Sequence, residues 1–269
     1  GYHTAIELQL RGYKVLATAR QTKDVDMLRS KGLNAHQLDL RSSPSINQAF
    51  AWAMQESQGR IYALFNNGAY GQPGAVEDLS RDLLREQLEV NLLGWHELTN
   101  LVLPVMRKHG EGRIIQNSSI LGFITLAYRG AYNCSKFALE GLTDTLRLEL
   151  KGSGICVSLI EPGPIESHFR QNAYQAFLNN IDRKNSAHAQ VYEGVDRRLA
   201  GKNLIKDTEP FTLPASAVVK CVIHALESKN PKARYRVTTP THLMHILKRL
   251  TSTRFLDKIL SRLSEREND

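Results

Sequence analysis

Residues 113–163 read RIIQNSSILGFITLAYRGAYNCSKFALEGLTDTLRLELKGSGICVSLIEPG, and this stretch decides the fold. RIIQN at 113–117 and ICVSLI at 155–160 are short runs built on Ile and Val, which predict buried strands. Between them, Ala131–Leu150 places Leu139, Leu142, Leu146 and Leu150 at helical spacing, which predicts a helix with one apolar face. A strand, a helix and a strand of these lengths make a crossover unit with parallel strands. The same alternation continues toward the N-terminus. Residues 2–11 read as a helix ending at Gly12, and Tyr13–Ala19 as a strand. Asp24–Lys31 reads as a short helix and Asn34–Leu40 as a strand. Ser43 and Pro44 open a helix as N-cap and first helical residue, and Ile61–Phe65 is a strand. Ser80 caps a long helical stretch to His109, with bends expected near Gly94 and Pro104. No linker, repeat or low-complexity tract interrupts the series. It predicts a single α/β domain over residues 1–269, with a doubly wound parallel sheet covered on both faces.

Composition excludes several classes. With 269 residues, 42% hydrophobic and 23% charged, the chain is not collagen-like, coiled-coil or disordered. The net charge of +8 is concentrated at one end, where nine basic residues face four acidic ones from Lys232 onward. The remainder is nearly balanced and shows no aromatic-basic interleaving, so no nucleic-acid partner is expected. Cys134, Cys156 and Cys221 cannot all pair, which argues against a disulfide scaffold and for a reducing compartment, the cytoplasm. No metal is expected: His242 and His245 have no third ligand nearby in sequence. No apolar run reaches the roughly 18 residues that a spanning helix requires.

Chemistry concentrates on Ser119, Tyr132 and Lys136. Tyr132 and Lys136 stand four apart near the start of a helix and share one face. A free phenol titrates near ~10 and is a poor acid-base group at neutral pH. A neighbouring ammonium stabilises the phenolate, so the pair can exchange a proton with a hydroxyl or carbonyl oxygen. Ser119, just past a strand end, can hydrogen-bond the same oxygen. By itself such a pair is an ordinary amphipathic feature; its context makes it informative.

That context resembles the short-chain dehydrogenase/reductase family from Gly1 to about Val237. The matching pieces are Asn66-Asn67-Gly68-Ala69, Asn91 within EVNLLG, Ser118-Ser119-Ile120-Leu121-Gly122, Tyr132-Asn133-Cys134-Ser135-Lys136 and Pro162-Gly163-Pro164-Ile165. YNCSKFALEGLTDTLRLEL, SLIEPGPIESHF and ARYRVTTP look closest to the branch of 17β-hydroxysteroid and retinol dehydrogenases, a look shared by bacterial NADPH-dependent aldehyde reductases. The resemblance implies a Rossmann-like fold and an NADP(H)-dependent oxidoreductase that interconverts a small-molecule carbonyl and alcohol on an apolar substrate. Tyr132 would then give the proton in reduction, Lys136 would lower its pKa and bind the nicotinamide ribose, and Ser119 would polarise the substrate oxygen. Asn91 would hold a water linking Lys136 to solvent. Ser118 and Cys134 read as packing. For the cofactor, Asp39 and Leu40 would contact the adenine and Asn67 the adenosine ribose. Ile165 would offer its backbone to the carboxamide, and Ser167 would stand near the diphosphate. Arg20 follows a strand where an acidic residue would hold a free ribose hydroxyl; arginine's planar fork suits a 2′-phosphate, which implies NADP. The resemblance also implies a homo-oligomer, assembled through the helices at 82–109 and 131–150.

The chain departs from the family in two places. The small pair after Asn66-Asn67 is inverted, as Gly68-Ala69. The opening strand and nearly all of the glycine-rich turn are missing, and Gly1 aligns with the last glycine of that turn. An upstream segment of roughly fifteen to twenty residues is therefore expected, carrying a strand between YKVLATA and IYALF and the amide cradle for the diphosphate. Two other regions are singled out. Residues 165–213 are polar and lack strong strands, which reads as a substrate lid or loop. Residues 241–269 form basic amphipathic helices, read first as packing on the domain or a partner subunit and second as peripheral attachment to an anionic membrane. Two rival functions stay open: a catalytically silent dinucleotide- or partner-binding protein, and a membrane-associated retinoid or steroid dehydrogenase.

Overall fold

The computed structural model describes residues 1–200 and 211–268. The first half runs α1 (Tyr2–Leu10), β1 (Leu16–Ala19), α2 (Thr22–Ser30), β2 (Asn34–Gln37), α3 (Ser43–Glu56), β3 (Ala63–Asn66), α4 (Arg81–Leu88), α5 (Gly94–His109) and β4 (Gly112–Asn117). The second runs α6 (Gly130–Glu149), β5 (Ile155–Glu161), α7 (Phe169–Asn180), α8 (Ala189–Ala200), α9 (Ser216–Glu227), β6 (Arg234–Arg236), α10 (Thr239–Leu250) and α11 (Thr253–Asn268). Among the described residues all strand pairs are parallel and fall into two hydrogen-bonded groups, β1 beside β2 and, separately, β3-β4-β5-β6 in that order. Among the described residues β1 and β3 each pair on one side only, and they belong to the YKVLATA and IYALF segments expected to flank an opening strand.

Both faces of the sheet are covered. Ile114 and Ile115 are neighbours in β4 and point to opposite sides. Ile114 packs with Val102 and Met106 of α5 and with Leu150, just past α6. Ile115 packs with Val222 and Ala225 of α9. Alternating side-chain direction along a strand requires both layers, and this is the α/β architecture that the sequence predicts.

The structure corrects several details. The cap of α3 is Ser42, whose hydroxyl accepts from the amide of Ser45, and not Ser43. Leu142 is exposed, so the apolar face of α6 is narrower than its four leucines suggested. The long helical stretch is broken by a π-helical turn at Glu89–Leu93, and Pro104 lies inside α5. Gly94, the first residue of α5, has a reason of its own. A Cβ there would meet the carbonyl oxygen of Leu40 at 2.2 Å, a backbone atom that cannot step aside. Gly94→Ala should therefore destabilise the fold by about 1–3 kcal/mol through overpacking, read as a lower urea midpoint at unchanged m-value.

Residues 165–200 carry two helices, α7 and α8, joined by an irregular segment. α7 and α8 bury Phe177, Tyr192, Val195 and Leu199 against Ala75. The Tyr192 hydroxyl accepts from the amide of Ala75 at 2.9 Å and donates to the Asp78 carboxylate, which also takes a hydrogen bond from Ser186 at 2.6 Å. The polar composition had concealed these few well-spaced apolar residues. The part of the expected lid at 201–210 lies outside the described residues. At the C-terminus, Leu256, Ile259, Leu260 and Leu263 of α11 pack against Leu121, Ile124 and Tyr132. The apolar side of α11 is thus buried on the domain, the first of the two expected roles; Leu243, Ile246, Leu250 and Phe255 remain exposed, and Asp269 lies outside the described residues. Among the described residues no helix is long and apolar enough to cross a membrane.

Candidate active site

The strand end of β4 and the first two turns of α6 meet at one point. Lys136 is 1% exposed, and its Nζ donates to the backbone oxygen of Asn117 at 2.7 Å. The ammonium lies 4.5 Å above the Trp95 ring and 5.7 Å from the centre of the Tyr132 ring. The Ser119 hydroxyl accepts from the amide of Leu121 at 3.1 Å and stands close enough to the Tyr132 phenol to favour its ionised form. Asn91 is fully buried in the π-helical turn. Its Oδ1 accepts from the amide of Tyr70 at 3.2 Å, while Nδ2 donates to the Tyr70 carbonyl at 2.9 Å and to Ser135 Oγ at 3.2 Å. The side-chain amide is therefore taken up by the protein, and a water-holding role would fall to the Asn91 backbone.

Burial, not the lysine, dominates the titration of the pair. Desolvation pushes the Tyr132 phenol up to about 12, with the Ser119 hydrogen bond opposing. Desolvation pushes the Lys136 ammonium down to about 7, opposed by the charge of Glu140. Burial drives both groups toward their neutral forms. The result at neutral pH is a protonated phenol beside an amine poised to gain or lose a proton. Cys134 is exposed and does not pack, because it projects from the outer side of α6.

Of the predicted cofactor residues, Asn67 is tied to this point through Asn117. Asn67 accepts a hydrogen bond from Asn117 at 2.9 Å, and a Cβ on Gly1 would meet Asn67 Nδ2 at 2.8 Å, so Gly1 and Asn67 are in close approach. Ile165 bridges Leu213 in parallel register, using the carbonyl of Pro164 and the amide of Glu166. That pattern turns the amide and carbonyl of Ile165 itself the other way. Ser167 shares a cavity of about 290 Å³ with His3, in the first turn of α1. Neither Gly68 nor Ala69 has a positive φ, so the inverted pair needs no special backbone. Leu40 packs on Gly68 and Gly94. The Asp39 carboxylate is held by Arg41, whose hydrogen bonds keep it below the ordinary carboxylate range against the opposing effect of burial. Arg20 is exposed at the end of β1, and its guanidinium has no ion pair among the described residues. These residues fit a dinucleotide: a glycine in close approach, an outward-facing backbone pair at Ile165, and the buried Asn117 Oδ1 with no hydrogen-bond partner.

On the other side of Tyr132 lies a cavity of about 140 Å³, walled by Leu121, Phe169, Ala173 and Leu199 and by the guanidinium-bearing Arg129, Arg170 and Arg198. Sequence reading missed these arginines, Trp95, Asn117 and Arg41. Trp95 carried a signal, four residues beyond Asn91 on the same helical stretch; the arginines are brought together only by the fold. Among the described residues no cluster of His, Cys, Asp and Glu could hold a metal.

Comparison with known proteins agrees with this architecture. Residues 1–177 match the family model described as short chain dehydrogenase. The uncharacterized oxidoreductase YbbO of Escherichia coli K12 is 39% identical over 260 residues, covering 97% of this chain and 89% of the relative. The 17-beta-hydroxysteroid dehydrogenase type 6 of Bos taurus is 32% identical over 270 residues, covering 97% and 84%. Among solved structures, a Burkholderia phymatum short chain dehydrogenase/reductase in complex with NAD superposes with a TM-score of 0.73 at 20% identity, covering 91% of this chain and 88% of the other. A single-substitution variant of actinorhodin polyketide ketoreductase with NADPH superposes with a TM-score of 0.67 at 25% identity, covering 88% and 90%. The chain belongs to the short-chain dehydrogenase family of oxidoreductases.

Proposed function

We propose that the protein is an NADP(H)-dependent oxidoreductase that interconverts an aldehyde or ketone and its alcohol, and that it works as an aldehyde reductase in the cytoplasm. The observation that carries this reading is the convergence of Ser119, Tyr132 and Lys136 beside a partly apolar cavity, at the end of a parallel sheet. A bound nicotinamide supplies the hydride in reduction. The Ser119 hydroxyl hydrogen-bonds the carbonyl oxygen. Tyr132, protonated because it is buried, gives its proton to that oxygen as charge develops. Lys136, with its ammonium near neutrality, stabilises the phenolate left behind and exchanges its own proton at ordinary pH. Asn91 holds the π-helical turn against Tyr70 and Ser135, which fixes Trp95 beneath Lys136. Gly1, Asp39, Leu40, Asn67, Ile165 and Ser167, with Tyr132 and Lys136, would hold the cofactor. The intact group favours an enzyme over a silent binding protein.

NADP rather than NAD rests on Arg20. Its exposed guanidinium suits a 2′-phosphate, and Asp39, just past the neighbouring strand β2, is already engaged by Arg41. Arg20→Ala should weaken NADPH binding by about 10–100-fold, as expected for a lost charge-assisted hydrogen bond, and barely change NADH binding. Fluorescence titration of both cofactors reads this directly, and equal losses would remove the specificity. A homo-oligomer is supported by Phe137, Leu142 and Leu148, large apolar residues exposed on α6.

A further inference from the structure

The cavity beside Tyr132 is apolar along much of its wall, yet three arginines line it. They come from three separate elements: Arg129 is the N-cap of α6, Arg170 lies in the first turn of α7, and Arg198 is in the last turn of α8. Guanidiniums brought together in this way suit an anion at the point where they meet. A carboxylate already sits against them. Glu267, near the end of α11, pairs with Arg129 and accepts from Arg198 Nη1 at 2.8 Å. The Arg198 side chain is only 14% exposed, so this pairing is partly withdrawn from water. Burial works against the Glu267 charge, but Arg129, Arg198 and Arg170 together hold it below the ordinary carboxylate range. The N-termini of α6 and α7 add partial positive charge on the same side.

We infer that the carbonyl substrate carries a carboxylate, bound by the Arg129, Arg170 and Arg198 guanidiniums, and that Glu267 occupies that subsite in the substrate's absence. This inference rests on the carbonyl–alcohol reading of the site. It modifies the expectation of a wholly apolar substrate: the body of the molecule lies along Leu121, Phe169 and Leu199, and its far end is anionic. Planar guanidiniums are well matched to a carboxylate, and a partly desolvated site strengthens the match. Binding replaces one carboxylate by another at Arg129 and Arg198. The C-terminal helix is then loosened at its last turn when substrate binds.

The test compares 4-carboxybenzaldehyde with the neutral 4-formylbenzamide, which has nearly the same shape, at fixed NADPH. In the unmodified protein kcat/KM should favour the carboxylate by roughly tenfold or more. In Arg198→Gln the ratio of the two should fall toward one, and in Glu267→Gln, which removes the internal competitor, it should rise. A variant that merely loosens the fold would lower both rates and leave the ratio where it was. Equal rates for the two aldehydes in the unmodified protein, or a ratio unmoved in both variants, would overturn the inference and leave the carbonyl–alcohol reading standing. Turnover of neither aldehyde would contradict that reading itself, and the inference with it.

Discussion

Tyr132→Phe is expected to lower the rate of carbonyl reduction by about 10²–10⁴-fold while NADPH binds nearly as before. The substitution removes one oxygen and its proton. The ring stays wedged against Phe169, with ring centres 5.2 Å apart, and in the cluster with Leu121 and Leu260, so the local packing survives. Lys136 keeps its hydrogen bond to Asn117 and its place over Trp95, since neither involves the phenol oxygen. What is lost is the proton donor that burial holds in its neutral form. Single-turnover rates with saturating NADPH separate this chemical step from binding. A variant within about threefold of the parent would mean that the proton reaches the substrate from elsewhere.

Arg234→Met should destabilise the protein by about 3–5 kcal/mol, because it strands buried carboxylates. Arg234 reaches from β6 to three acids. Its Nη1 binds Glu140 and lies 2.5 Å from Glu161, and its Nη2 lies 2.5 Å from Asp144. The Glu161 and Glu140 side chains are 1% and 8% exposed, so water cannot take the place of the guanidinium. Glu140 and Asp144 lie on α6, the helix that carries Tyr132 and Lys136, so this network ties the catalytic helix to the sheet. Burial, with the neighbouring Glu161 charge, already raises Glu140 to about 6. A carboxyl with its folded pKa raised adds stability that is full below its unfolded value and lost as pH rises through the folded one. Without Arg234 that rise is larger, so the deficit of the variant should be smaller at pH 5 than at pH 8. Urea midpoints at the two pH values read both effects. A loss below about 1 kcal/mol at pH 8 would show that the network is not holding these carboxylates.

The parts of this structure that follow local rules were legible in the sequence. Gly12 stands past α1 with φ 84°, and Ser80 caps α4, because each signal acts within one turn. Parallel strands buried on both faces read as apolar runs, and ICVSLI does so, while RIIQN shows it only at Ile114 and Ile115. Ser119, Tyr132 and Lys136 could be found because a strand end followed by a helix start brings them together through a short connection. The failures have a common physical origin. Phe177, Tyr192, Val195 and Leu199 bury one face of two helices in a polar stretch, and their partner Ala75 lies about a hundred residues away. The same distance in sequence hid the meeting of Arg129 and Arg198 with Glu267. The neutralising drift of Tyr132 and Lys136 depends on desolvation, which spacing alone does not reveal. The π-helical turn that presents Asn91 has no marker residue, and Gly94 showed only that something bends or approaches there.

The central claim is that hydride reaches a carbonyl carbon in this site while Tyr132 supplies the proton. Deuterium transfer tests it most directly: NADPH carrying deuterium at both C4 positions of its nicotinamide is incubated with 4-carboxybenzaldehyde, and the product is analysed by proton NMR. The account predicts an alcohol with one deuterium on the carbinol carbon, formed rapidly by the parent protein and at the residual rate by Tyr132→Phe. Alcohol formed without deuterium, or formed equally fast by the variant, would contradict it.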